Sequence, residues 1–129
     1  MFKAISITTT LMLSLISCFS LSGGSDTIMK ASSNAQHTKK AILFLREAGA
    51  TISNSYQVSV INYHKKFDTT QVGNTFTVDN NHDETSLDST SINFSWMTED
   101  TLQIDYNKKL RTFIQQTNIE GVTVVYQPR

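Results

Sequence analysis

The clearest pattern along the chain is an apolar–polar alternation of period two between Ser91 and Tyr106. Ile92, Phe94 and Trp96 alternate with Ser91, Asn93 and Ser95, and Leu102, Ile104 and Tyr106 alternate with Thr101, Gln103 and Asp105. The polar break Thr98-Glu99-Asp100 separates the two runs. This predicts a β-hairpin with both apolar triplets on one face. A lone hairpin is marginal in water, so that face requires neighbours.

The rest of the chain supplies them. Ser55–Tyr63 reads as a strand with Tyr56, Val58 and Val60 on one face, and Thr75–Val78 as a short strand with Phe76 and Val78 inward. Leu110–Gln116 is a strand of mixed faces, and Gly121–Gln127 closes the domain with Val122, Val124 and Tyr126 inward. Lys39–Gly49 is ambiguous. Its Ala, Leu, Arg and Glu content favours a short helix, whereas the five-residue apolar run Ala41–Leu45 before Gly-Ala-Thr fits a strand buried on both faces. The surrounding β pattern decides for the strand.

Turn signals punctuate these elements at Gly49–Asn54, at Asn107-Lys108-Lys109, where Asn is suited to positive φ, and at Asn118–Gly121, where Gly121 offers a bulge position. His64–Val72 reads as a polar connection ending at Gly73-Asn74, and Asp79–Ser89 as an exposed loop. The fold class is therefore all-β: one small antiparallel meander of about seven short strands, as an open sheet, a sandwich or a partly rolled barrel.

The beginning of the chain is different. Lys3 precedes a mostly apolar run from Ala4 to Ile16, too short to span a bilayer stably, which reads as a signal peptide over residues 1–17. It ends in Leu15-Ile16-Ser17-Cys18, which resembles the bacterial lipobox. That resemblance implies a diacylated Cys18, cleavage before it and anchoring in a membrane. The thiolate is the nucleophile such a modification needs, and two or three acyl chains hold a protein durably to a bilayer. Two alternatives stay open: plain secretion with cleavage after Ser22, and an uncleaved anchor. Residues 18–38 then form the anchor cysteine and a Ser/Gly-containing flexible tether, with a short helix near Thr27–Ala31 conceivable, and residues 39–129 form the β-domain.

Composition narrows the function. The chain of 129 residues carries eleven basic and eleven acidic side chains, far from the basic excess that phosphate-backbone binding requires, which argues against nucleic acid as a partner. Cys18 is the only cysteine, so the domain is stabilised by packing without an internal disulfide.

Several elements, taken in order, resemble a group of short bacterial envelope proteins of unassigned activity. These are Ala41–Thr51 with its Arg46-Glu47 pair and Gly-Ala-Thr turn, Ser55–Val60, Gly73-Asn-Thr-Phe76, Ile92–Trp96 with Asp100–Tyr106, Arg111–Phe113, and Gly121–Tyr126. The resemblance spans Lys40 to Tyr126. It implies a strand over Ala41–Glu47 and an envelope location, and it carries over no catalytic residue. Members with Cys where Ala48 stands would have thiol chemistry that is absent here.

Candidate chemistry is sparse. Asp79, Asn81 and Asp83 begin like an oxygen-rich calcium loop, but Glu84 and Thr90 stand where Gly and Glu are needed, so a solvated loop is the better reading. His37, His64 and His82 lack metal-site spacing, and no cofactor is implied. Arg46, Glu47, Asp79, Asp83 and Arg111 remain as candidate partner-binding residues, each with a local ion pair as its plainer role; Trp96 is read as core. The sequence thus points to a lipid-anchored envelope module, outer-membrane if the cell has one, that binds an envelope protein and is not an enzyme. A periplasmic or secreted form, a small exported inhibitor or immunity protein, and a minor hydrolytic enzyme are the competing readings.

Overall fold

The computed structural model describes residues 26–47 and 54–129. Cys18, residues 1–17, the first part of the expected tether and most of the Gly49–Asn54 turn lie outside them. The architecture is all-β, as the alternation predicts. Nine strands follow in chain order: β1 (Asp26–Ser33), β2 (Lys39–Arg46), β3 (Ser55–Asn62), β4 (Phe76–Asp79), β5 (Ile92–Thr98), β6 (Thr101–Tyr106), β7 (Arg111–Gln115), β8 (Asn118–Ile119) and β9 (Val122–Pro128). They form a five-stranded sheet ordered β1-β2-β3-β4-β7 and a four-stranded sheet ordered β5-β6-β9-β8.

The inward positions read from the sequence meet in one core between the sheets. Leu43, Tyr56, Val58, Val60, Phe76 and Val78 come from the larger sheet, and Ile92, Phe94, Leu102, Ile104, Val122 and Val124 from the smaller. Trp96, Tyr106 and Tyr126 pack against this core with part of their surface in water.

The topology departs from a simple antiparallel meander. The chain changes sheets after β4, after β6 and after β7, and β9 pairs with β6 in parallel while every other pair is antiparallel. The β8–β9 turn is a two-residue loop, because Ile119 pairs with Val122 while Glu120 and Gly121 both take positive φ. That is the twist-matched hairpin turn, so Gly121 serves a turn and not a bulge. Asn107 makes its turn without positive φ: its carbonyl accepts the Leu110 amide and its side-chain oxygen accepts the Lys109 amide.

The expected tether gives way to a strand from Asp26 to Ser33. Most of β1 is exposed, so it shows no strong periodicity, and nothing in the sequence marks it. It forms because β2 offers a backbone ladder, with a bulge between Ile28 and Lys30. Side chains then tie it to the other sheet: Lys30 Nζ donates to the Phe94 carbonyl at 2.7 Å, and the Ser32 carbonyl accepts the Trp96 indole N–H at 3.0 Å. Opposite, the Tyr126 hydroxyl reaches the carbonyls of Thr75 and Gln116 across the sheets, and burial pushes its pKa up.

The strand reading of Ala41–Leu45 holds, and so does burial on both faces. Ala41 and Leu43 enter the core, while Ile42 and Phe44 are buried on the outer face. The expected polar connection, His64–Val72 ending at Gly73-Asn74, packs over this face. Phe67 packs its ring at 5.1 Å from Phe44, Arg46 donates to the carbonyls of Thr69 and Gln71, and the Gly73 amide donates to Gln57 Oε1 at 2.7 Å. A Cβ on residue 73 would stand 2.8 Å from Gln57 Cβ, so only glycine lets the segment lie this close.

At one end of the sandwich Asn34, 1% exposed, joins two turns. Its side-chain oxygen accepts the amides of Thr38 and Lys39, and its Nδ2 donates to Thr38 Oγ1 and to the Glu99 carbonyl in the β5–β6 turn. Asn34→Ala is expected to destabilise the fold by about 2–4 kcal/mol, because it strands several buried groups at once. A urea unfolding midpoint equal to wild type would show that backbone hydrogen bonds alone hold this turn.

Candidate functional site

Cross-strand register decides which candidate residues meet. Asp26 pairs with Arg46, Arg46 with Ser55, Ser55 with Asp79, and Asp79 with Arg111. Directly paired residues point to the same side of a sheet. One polar row therefore crosses all five strands on the outer face, about 19 Å long at ~4.8 Å per strand. Its charges alternate in sign on either side of Ser55, so each cation has an anion beside it.

Arg46 is committed within this row. Its Nε lies 3.1 Å from Asp26 Oδ1, and its Nη2 holds two carbonyls of the covering segment. It acts as a clamp, the local-pair role named above. Glu47 is exposed just beyond β2.

The other end of the row is richer. Asp79 does not lie in an exposed loop; it ends β4 and is buried, with Arg111 held against both of its oxygens. Burial alone would raise the Asp79 pKa, but hydrogen bonds from Arg111 and from the Asn81 amide, with the Arg111 charge, outweigh it and hold the carboxyl below its usual range. Arg111 Nη1 also lies 2.9 Å from His82 Nε2. A guanidinium only donates, so this nitrogen accepts and the imidazole proton sits on Nδ1.

His82 is placed by an unusual backbone. Asn81, His82 and Asp83 take φ values of 51°, 56° and 63° in succession. Left-handed residues occur singly in most chains, at roughly 1–2 kcal/mol each for residues other than glycine, and Asn and Asp tolerate the region best. The turn is held by the Asn81 amide on Asp79, by Asn80 Nδ2 on Asp83 Oδ1, and by the Asn81 side chain on Glu84 and the Lys109 carbonyl. These bonds place the loop oxygens in side-chain contacts with one another, and the Asp79 carboxylate is matched by Arg111. Among the described residues no group of three His, Cys, Asp or Glu converges on a common point.

The sequence sets Phe113 beside Arg111 but does not mark it as a binding residue in its own right. It sits on β7, the edge strand of its sheet, 58% exposed, with the Arg111 guanidinium 4.8 Å from its ring centroid. Strand parity could have signalled it, since Arg111 and Phe113 are two residues apart. Trp96 in contrast has its indole donor satisfied by Ser32 and packs against the core. Comparison with protein-family models, curated proteins and solved structures finds no match.

The Asp79–Arg111 pair makes a pH-dependent contribution of definite sign. An unfolded Asp titrates near ~3.9, and the folded Asp79 lies lower. Its stabilisation is therefore complete above the unfolded value and disappears as pH falls through the folded one. Asp79→Asn should cost about 1–3 kcal/mol near neutral pH, and the gap from wild type should shrink as the pH is lowered below ~4. Unfolding curves recorded across that range check this; a pH-independent gap would mean that the carboxylate charge contributes nothing.

Proposed function

We propose that this protein is an envelope lipoprotein anchored through Cys18, whose sandwich binds a protein partner through the Arg111–Phe113 edge. The anchor rests on the Leu15-Ile16-Ser17-Cys18 sequence at the end of an apolar run. The start of β1 at Asp26 adds a distance limit: eight residues on from Cys18, the first strand can be no more than about 28 Å from the lipid. The sandwich would thus stand close to the membrane surface, with the polar row, which begins at Asp26, at its near end.

The observation that carries the binding role is the exposed Phe113 beside a guanidinium fixed on three sides. Asp79 and His82 hold Arg111 in place, and its free face stacks on the ring. Aromatic and Arg side chains dominate binding energy at protein interfaces, and a prefixed Arg loses little side-chain freedom when a partner arrives.

Intact-mass analysis of protein extracted from membranes should give a species beginning at Cys18 with added acyl mass, and Cys18→Ser should abolish that processing. A wild-type species beginning at Gly23 without lipid would overturn the anchor. A photo-crosslinker at position 113 should give one discrete protein adduct in intact cells, lost on Arg111→Ala. No adduct from position 113, or one that Arg111→Ala leaves unchanged, would overturn the binding edge.

A further inference from the structure

On the opposite side of the sandwich, β1 and β5 edge the two sheets and leave a cleft of about 180 Å³ between them. Its floor is apolar and buried, built from Leu43, Ile92 and the ring of Tyr56. Its rim is polar and exposed, and carries Lys30, Asn93 and Asp88. An apolar cavity of ~150 Å³ takes up benzene, so this space suits a body of similar size with polar ends at the rim.

The rim groups are fixed, and each keeps unused capacity. Lys30 Nζ donates to Asn93 Oδ1 at 2.9 Å and to the Phe94 carbonyl at 2.7 Å, and sits 4.5 Å from the Phe94 ring centroid. An ammonium has three donors, so one remains, as do both Nδ2 protons of Asn93. Asp88 is held by the amide and hydroxyl of Thr90 through Oδ1 and by Ser86 through Oδ2. A carboxylate has room for further donors.

Tyr56 adds a further donor. The residue as a whole is 4% exposed, while its hydroxyl keeps access to the cleft and makes no hydrogen bond among the described residues. Burial, then the nearby Asp88 charge, raises its pKa, which keeps it a proton donor at neutral pH.

We infer that the cleft binds a free apolar α-amino acid: its carboxylate against Lys30, Asn93 and the Tyr56 hydroxyl, its ammonium against Asp88, and its side chain on Leu43 and Ile92. A simple fatty acid would leave Asp88 facing no cation, and an amine would leave the three donors idle. A zwitterion with an apolar side chain matches the rim charges of both signs and the apolar floor. The inference is independent of the anchor and of the Arg111–Phe113 edge, which lies on the far side of the sheet.

The test is calorimetric titration of the purified full-length chain in detergent with L-leucine, L-leucinamide and 4-methylpentanoate. L-Leucine should bind saturably at one site, and each analogue, lacking one charged end, should bind about tenfold or more weakly. Tyr56→Phe should weaken L-leucine about fivefold while melting like wild type, because the hydroxyl it removes makes no hydrogen bond among the described residues; Asp88→Asn should weaken it about tenfold. Should Tyr56→Phe not fold, Asp88→Asn and the two analogues decide. Absence of saturable binding by L-leucine, equal affinity for 4-methylpentanoate, or full affinity in folded Tyr56→Phe would each overturn the proposal.

Discussion

The structure depends on covering the larger sheet on both faces. Strand β2 carries Ala41 and Leu43 on one side and Ile42 and Phe44 on the other, and all four are buried. Each large apolar side chain removed from water contributes about 1.5–3 kcal/mol, so an uncovered outer face would forfeit much of what the strand offers. Residues 63–75 supply the cover with Phe67 and are fastened by Arg46 and Gln57. The segment cannot be moved outward without exposing Phe44, nor brought nearer, because Gly73 already sits at the closest approach.

That cover also explains the polar row at the end of the sheet. Arg46 must reach the carbonyls of Thr69 and Gln71 from a strand position, and Asp26 beside it balances the charge. At the other end of the row, Asp79 is buried beside Thr77 and needs a cation, which Arg111 supplies from the next strand. Arg46 is thereby enclosed by its own sheet. Arg111, on the edge strand, keeps one face for Phe113 and for whatever docks there. The same residue type in the same row is a clamp in one place and half-exposed in the other, according to the number of strands flanking it.

The sheet changes of the chain separate the two candidate surfaces. With β1 and β7 at opposite edges of one sheet, the cleft beside β1 and the aromatic edge of β7 are kept apart by three intervening strands. Ties between the sheets also sit on both sides, through Lys30 and Trp96 near the cleft and through Tyr126 on the opposite side. The cleft walls are thus held by the same bonds that join the sheets, and binding there would require little rearrangement.

Period-two alternation by itself determined most of the core: Tyr56, Val58, Val60, Phe76, Val78, Ile92, Phe94, Leu102, Ile104, Val122 and Val124 all face inward where the pattern puts them. This works because a strand with one wet face writes its orientation into every second residue. The doubly buried run of β2 was legible only as a short apolar segment in a β context. Strand β1 was not legible, because an exposed edge strand is selected by its neighbour's backbone ladder and carries little apolar signal. The parallel pairing of β9 with β6 was hidden for a related reason: alternation fixes the face of a strand but not its partner. As for function, the chain alone brought forward Arg46 with Glu47, Asp79 with Asp83, and Arg111 beside Phe113, and tertiary register put Arg46, Asp79 and Arg111 in one row and revealed which of them is enclosed. Tyr56, Lys30 and Asp88 come to one cleft only through tertiary structure, and the exposure of Phe113 likewise depends on what surrounds it.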